Sequence, residues 1–202
     1  YPQARIEKGA FEKAKIQPNS QDLVISNFPF LSIQDTGRID PRYPLMALHN
    51  YFFVRDLDLT KPGGILASIT SDSTLDNAAS RKARDMMAER ADLVAAIRLP
   101  NSAFKQNANT EVTTDIIFLR KRAPGEKRGG AAWQESRPMG DGENAIFLNE
   151  YYHARPEMML GRLERAEHGM YGRDEVRLAD DGRDLEKTLA AAHQLLNTAK
   201  SL

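Results

Sequence analysis

The stretch DLVISNFPF (residues 22–30) runs a short, β-branched apolar segment straight into an amide, two aromatics and a proline. DLVIS is bounded by the polar PNSQ before it and by Pro29 after it, the pattern of a buried strand. The segment Asn27–Phe30 is neither a hairpin turn nor a helix cap. In an open α/β sheet, ligands bind beyond the carboxyl ends of the strands, where the loops converge on a crevice. At such an end Asn27 offers a side-chain carbonyl oxygen and Phe28 a backbone carbonyl beside it. Pro29 fixes its own φ and restricts Phe28 to extended conformations, while Phe30 presents a flat apolar face. Two acceptors beside an aromatic plate suit the exocyclic amino group of a flipped-out base. The plain alternative is a loop amide satisfying backbone groups and an aromatic filling the core.

Working outward, PLMALHNYFFVRDLDL places Met46, Asn50, Phe53 and Leu57 on one stripe, widened by Leu45, Leu48 and Phe52, which predicts a helix with a broad apolar face. The helix is expected to stop at KPGG, where Pro62 cannot continue it and the glycines permit a reversal. GILASIT reads as a second core strand. LDNAASRKARDMMAER spaces Leu75, Ala79, Ala83 and Met86 as one amphipathic helix, with the Arg81–Lys82–Ala83–Arg84 run on its solvated face. DLVAAIRLP and TTDIIFLRKR read as third and fourth strands joined by the polar loop NSAFKQNANTEV. Alternation of strands and helices predicts a mostly parallel sheet with helices on both faces over residues 20–122, ending in an antiparallel hairpin because no helix separates the last two strands.

Beyond this core, residues 123–144 are rich in Gly, Pro and charge and read as a flexible connection, in which Trp133 is a surface anchor or a stacking ring. Residues 145–202 read as a mainly helical extension: NAIFLNEYY returns to strand, a short helix follows Pro156, and Leu185, Leu189, Ala192 and Leu196 form one face of a terminal helix. In this division residues 1–122 are the core.

Lys plus Arg and Asp plus Glu both total 28, so no global field advertises a polyanionic or membrane partner. The run RKRAPGEKR (residues 120–128) reads as a solvated loop, with phosphate contact as its alternative. There is no cysteine, which excludes a disulfide framework, a thiolate metal site and a thiol nucleophile, and fits a reducing cytoplasm. His49, His153, His168 and His193 have no ligand spacing, so no metal is expected; His49 and Asn50 read as polar residues reaching partners at the helix edge. No apolar run approaches the roughly 20 residues of a membrane span.

The motif SNFPF resembles the signature of the amino-group (N6-adenine) DNA methyltransferases, Asn/Asp/Ser-Pro-Pro-Tyr/Phe, with Phe28 standing where that family has its first proline. KPGGILASIT resembles the family's following strand, and AIRLPNSAF with TEVTTDIIFLRKR its penultimate strand, loop and final hairpin. HNYFF and NEYYHARPEMMLG further resemble the methylase region of large phage- and plasmid-type methylase-helicase proteins, which carries restriction-modification or antirestriction associations. The resemblance implies that Asn27 and the Phe28 carbonyl accept from the adenine amino group, that Pro29 stiffens the loop, and that Phe30 and Phe104 contact the base. It implies S-adenosyl-L-methionine as cofactor and DNA as substrate. Asn107, Asn109 and Thr110 read as makers of local turn hydrogen bonds.

The family's Phe-x-Gly-x-Gly cofactor loop is not in this sequence, nor is the acid that follows its second strand. The fold expectation is therefore a partial Rossmann-like methyltransferase core plus a helical extension, with the missing amino-terminal half of the core as a required partner and with little cofactor affinity alone. A non-catalytic nucleic-acid-binding or scaffolding domain on the same core is the alternative, and RNA or protein glutamine are alternative acceptors of the same loop chemistry.

Overall fold

The computed structural model describes residues 3–28, 40–43, 46–105, 111–140, 145–166 and 175–199. Four strands form the central sheet: β1 (Gln21–Asn27), β2 (Thr60–Ser71), β3 (Ala91–Leu99) and β4 (Thr114–Lys121), in spatial order β1-β2-β4-β3. β1 pairs with β2 in parallel, and β4 is antiparallel to both of its neighbours, so β1, β2 and β3 share one direction. The sheet is mixed: three of its four strands run in one direction and the β3–β4 pair is antiparallel, both as the sequence predicts, while β2–β4 is a second antiparallel ladder. Chain order alone does not place β4 between β2 and β3.

Helix α1 (Leu48–Leu59) connects β1 to β2, and α2 (Ser73–Asp76) and α3 (Arg81–Ala88) connect β2 to β3. Successive right-handed crossovers in one direction put these helices on the same face of the sheet, where α1 packs on α3, and not on both faces as the alternation predicts. α1 buries most of its circumference because the amino-terminal segment covers its outer side: Phe11 stacks on Phe52 at 5.1 Å, and Arg55 donates to the carbonyls of Phe11 and Ala14. The helix ends at Leu59, but KPGG does not form the expected reversal. It lies inside β2 as an irregular bulge, where the β1 register jumps from Gln21↔Thr60 to Leu23↔Ile65. Gly63 has φ +81 there, and a Cβ on Gly64 would sit 2.9 Å from the Asp22 carbonyl, so the bulge requires these glycines.

The single amphipathic helix expected over residues 75–90 is broken. Asn77 leaves the helix and its Oδ1 accepts from the Ala79 N–H at 2.8 Å, which opens a 3₁₀ turn (Ala78–Ser80) between α2 and α3. The phase shifts in consequence: Ala79 faces solvent, and Met87 rather than Met86 is fully buried. Arg84 is not on a solvated face. It is buried and donates to the carbonyls of Thr74, Asn77 and Gln134 at 3.0, 2.9 and 2.9 Å, tying the interrupted helix to the segment that follows β4.

After β4 the chain turns back along the sheet. Trp133 is buried in the core and cannot serve as a stacking ring on a flap. β5 (Ser136–Met139) pairs with β6 (Ile146–Asn149), and α4 (Glu150–Ala154) follows. A 3₁₀ turn (Pro156–Met158) replaces the short helix expected there, and β7 (Arg162–Ala166) and β8 (Glu175–Ala179) form an antiparallel hairpin that periodicity does not reveal. α5 (Leu185–Ala199) docks on this same core through Ala192, with Leu185 and Leu189 packed against it.

Candidate functional site

β1, β2 and β3 end at one edge of the sheet, and the candidate residues are distributed along that edge. Asn27 closes β1, paired with Ile69 in the ladder, and its side chain is exposed. Phe28 continues the pairing, its N–H donating to the Ile69 carbonyl at 3.2 Å. Its ring is only 2% exposed and packs edge-on to Phe53 with centroids 4.6 Å apart, and against Phe52 at 5.5 Å. Phe28 thus anchors the strand exit by burying a ring where a proline would stiffen it covalently. Pro29 and Phe30 lie outside the described residues, as do Asn107, Asn109 and Thr110.

The supports beneath this exit are polar. Ser26 donates to the Asp56 carboxylate at 2.6 Å, and burial pushes that carboxyl up to about 6, with Ser26 and Arg55 opposing. Asp40, where the described chain resumes after the motif, is clamped by Arg42, Arg55 and Tyr51, and the Arg42 hydrogen bond holds it near 2. On α1, Asn50 Nδ2 reaches Ser80 Oγ at 3.2 Å, while its Oδ1 and His49 Nε2 have no partner among the described residues. Burial lowers the His49 pKa. The expectation of partners for this pair is met only for the Asn50 amide nitrogen.

Phe104 stands on the turn after β3, half-buried against the core. It shares the carboxyl edge with Asn27 but not its strand: β2 and β4 intervene, so the two strand ends are about three spacings, roughly 14 Å, apart. The extension braces this turn. Leu178 of β8 accepts from the Asn101 N–H at 2.7 Å and donates to Thr113 Oγ1 at 3.0 Å, tying the start of the 101–113 connection to its end, and Ser102 donates to Asp180 at 2.7 Å.

Sequence reading misses a buried charge network between these two ends. Arg98 on β3 donates through Nε and Nη2 to both oxygens of Asp115 on β4 at 2.8 Å, and through Nη1 to Asp76 at 2.6 Å. Tyr152 of α4 donates to Asp115 at 2.8 Å and lies under the guanidinium, 4.4 Å from its ring centroid. The Asn149 N–H completes Asp76 at 2.9 Å. Burial raises the Asp76 carboxyl against the pull of Arg98. Asp72, at the exit of β2, is pushed up to about 7, chiefly by burial and then by the neighbouring Asp76 and Asp115, with Arg98 opposing. A readable signal exists, since Arg98 and Asp115 each interrupt an apolar strand.

Two other groups of residues do not join the edge. The basic run that begins at the end of β4 is held by its neighbours: Arg120 and Arg122 bind Asp92, Arg120 also binds Glu126, and Lys121 donates to the Leu57 carbonyl. Among the described residues no glycine of positive φ lies in a strand-to-helix turn. Among the described residues no His/Asp/Glu group is placed to hold a metal ion, and no helix is long and apolar enough to cross a membrane.

No protein-family model matches the chain. It is 31% identical over 124 residues to the "Defense against restriction protein B" of Escherichia phage P1, a match covering 60% of this chain and 6% of that protein. Among solved structures, the M protein of the type I restriction enzyme EcoKI aligns with a TM-score of 0.46 and 17% identity, over 90% of this chain and 48% of that one. A protein described as a class I S-adenosylmethionine-dependent methyltransferase from Listeria monocytogenes aligns with a TM-score of 0.45 and 21% identity, over 57% of this chain and 36% of that one. The chain therefore spans only a small fraction of the curated relative and less than half of either solved structure.

Proposed function

We propose that this chain supplies the base-binding half of an adenine-N6 DNA methyltransferase core, and that the cofactor loop comes from polypeptide outside these 202 residues. S-adenosyl-L-methionine, bound elsewhere, supplies an electrophilic methyl group. This chain's own residues hold the acceptor: the Asn27 amide oxygen and the Phe28 carbonyl each take one N–H of the extruded adenine amino group, steering the nitrogen towards a tetrahedral form and its lone pair out of conjugation with the ring; as the N–C bond forms the S–CH3 bond would break, the thioether would leave, and one amino proton would pass along these hydrogen bonds to solvent. Fixed dipoles of this kind act through positioning and electrostatic preorganisation. Pro29 and Phe30 stiffen the loop and stack on the base, and Phe104 closes on it from the β3 side.

The observation that supports this reading is the position of Asn27, exposed at the carboxyl end of β1 while its neighbour Phe28 is locked into the core. The experiment restores the cofactor half and compares wild type with Asn27→Ala. Methyl transfer falls by about 10²–10³-fold, the loss typical of one preorganised hydrogen-bonding group, with cofactor affinity unchanged. Undiminished transfer in that variant removes Asn27 from catalysis and the reading with it.

A further inference from the structure

The carboxylates of Asp72, Asp76 and Asp115 gather around the single guanidinium of Arg98, which commits its hydrogen bonds to only two of them. Asp115 takes Nε and Nη2 and also accepts from the Tyr152 hydroxyl, while Asp76 takes Nη1 and the Asn149 N–H. Asp72 has no cation of its own among the described residues. It stands at the N-cap of α2, where an aspartate ordinarily accepts from the free N–H groups of the first turn, yet its side chain makes no capping bond. Its backbone is fixed all the same: the N–H donates to the Thr113 carbonyl at 3.3 Å, and the carbonyl accepts from Leu75 and Asp76 at 3.0 and 2.9 Å. The residue is half-buried. β1 and β2 run parallel with Asn27 beside Ile69, so Asp72 lies one strand across from Asn27 and three residues, roughly 10 Å, further along the strand direction. A base held beyond the end of β1 comes level with it.

Methyl transfer leaves a proton to be placed. As the amino nitrogen bonds to the methyl carbon, the S–CH3 bond breaks and its electron pair departs on the thioether sulfur, so the nitrogen is left cationic with one hydrogen to lose. The amide oxygen of Asn27 and the peptide oxygen of Phe28 accept hydrogen bonds but are too weakly basic to keep a proton. We infer that the Asp72 carboxylate is the proton acceptor of the site: through one bridging water it takes the proton from the methylated amino nitrogen, becomes a carboxylic acid, and passes the proton to solvent before the next turnover. This role rests on the methyl-transfer function proposed for the chain. Its neighbours suit it less, because Asp76 and Asp115 are engaged by Arg98. Burial above all, then the negative charges of Asp76 on α2 and Asp115 on β4, push Asp72 up to about 7, against the pull of Arg98 on β3 and the Ser73 N–H. A carboxyl so placed both takes and releases a proton near neutral pH.

The test restores the cofactor half and follows single-turnover methylation of DNA across neutral pH. Wild-type transfer is expected to fall as pH drops through about 7, where the acceptor already holds a proton. Asp72→Asn keeps the shape of the side chain and cannot titrate. It is expected to slow transfer at least about tenfold at about pH 8, to abolish the inflection, and to leave KM for DNA unchanged. Its urea midpoint at that pH does not fall, since the substitution removes an unpaired buried charge. Carbon NMR of the carboxyl groups in the chain alone, with Asp72→Asn assigning the resonance, is expected to show Asp72 titrating near 7. The role is overturned by undiminished transfer in Asp72→Asn, by an inflection that survives in that variant, or by titration at the ordinary 3.8. Transfer lost in Asn27→Ala but intact in Asp72→Asn strikes only the proton acceptor; the reverse pattern strikes only Asn27. A wild-type enzyme that methylates no DNA retracts the methyl-transfer reading and this role with it, even where Asp72 titrates near 7.

Discussion

Arg98 lies directly opposite Asp115 in the β3–β4 ladder, and the pair is almost fully removed from water, at 1% and 0% exposure. It joins the central sheet to the extension, because the same carboxylate receives the Tyr152 hydroxyl and the same guanidinium reaches Asp76, which in turn accepts from Asn149. Charge inside a sheet is tolerated only when both partners and their spare hydrogen-bonding groups are satisfied, and here they are.

Removing one member should therefore be severe. Asp115→Leu strands a buried guanidinium with Asp76 alone and is expected to cost about 3–5 kcal/mol in urea unfolding. Arg98→Met/Asp115→Leu removes both charges and should recover part of that loss. A single variant as stable as wild type would show that water reaches the pair.

Phe28 poses a different question, since it occupies a position where the resembling family has proline. Phe28→Ala opens a cavity beside Phe52 and Phe53 and is expected to cost about 3–5 kcal/mol. Phe28→Pro should not rescue it, because proline also removes the N–H bonded to Ile69. Thermal or urea unfolding of the two variants checks both statements, and a Phe28→Pro chain more stable than Phe28→Ala would place the anchoring in backbone stiffness instead of the ring.

The four core strands and α1 are legible in the sequence because their apolar runs are long and their boundaries carry polar or proline signals. The break at Asn77 is not, since a side chain capping its own backbone leaves the three-and-four spacing of Leu75, Ala79 and Ala83 untouched on paper. Arg84 goes with the same break: a residue that reads as solvated is buried and donates to two carbonyls of the interrupted segment, Thr74 and Asn77, and to that of Gln134 beyond β4. The β7–β8 hairpin hides for another reason. Its strands mix charge and apolar residues and are held by ladder bonds and by close backbone approach at Gly161, where a Cβ would lie 2.4 Å from the Ala179 carbonyl. At the candidate site the sequence locates Asn27 and Phe104 on one edge, but not the charge network between them: it pairs β3 with β4 without fixing the register that sets Arg98 opposite Asp115, and Asp76 and Tyr152 reach that pair from elements remote in the chain.

Asp56 makes stability depend on pH. Its folded pKa of about 6 lies above the ordinary carboxylate value of 3.8, so the folded state holds the proton more tightly. The resulting stabilisation is fully present below about pH 4 and is lost as pH rises through about 6, amounting to at most about 3 kcal/mol. Asp56→Asn keeps an acceptor for Ser26 and cannot titrate. The stability of wild type relative to Asp56→Asn should thus be greater at pH 4 than at pH 7; an equal difference at both values would mean that Asp56 is solvated in the native state.

Leu178 clasps both ends of the 101–113 connection with its own backbone, accepting from Asn101 and donating to Thr113 Oγ1. Thr113→Val keeps the shape of the side chain but removes the acceptor, leaving a buried N–H unpaired at a cost of about 1–3 kcal/mol. Because the Asn101 bond to Leu178 is untouched, the loss should be local: exchange at the Leu178 amide accelerates, while the β2–β4 amides keep their protection. With the cofactor half restored, the loop bearing Phe104 should be held less firmly, raising KM for DNA more than it lowers kcat. Uniform acceleration of exchange across the central sheet would instead make Thr113 a general stability element, and would detach the hairpin from the positioning of Phe104.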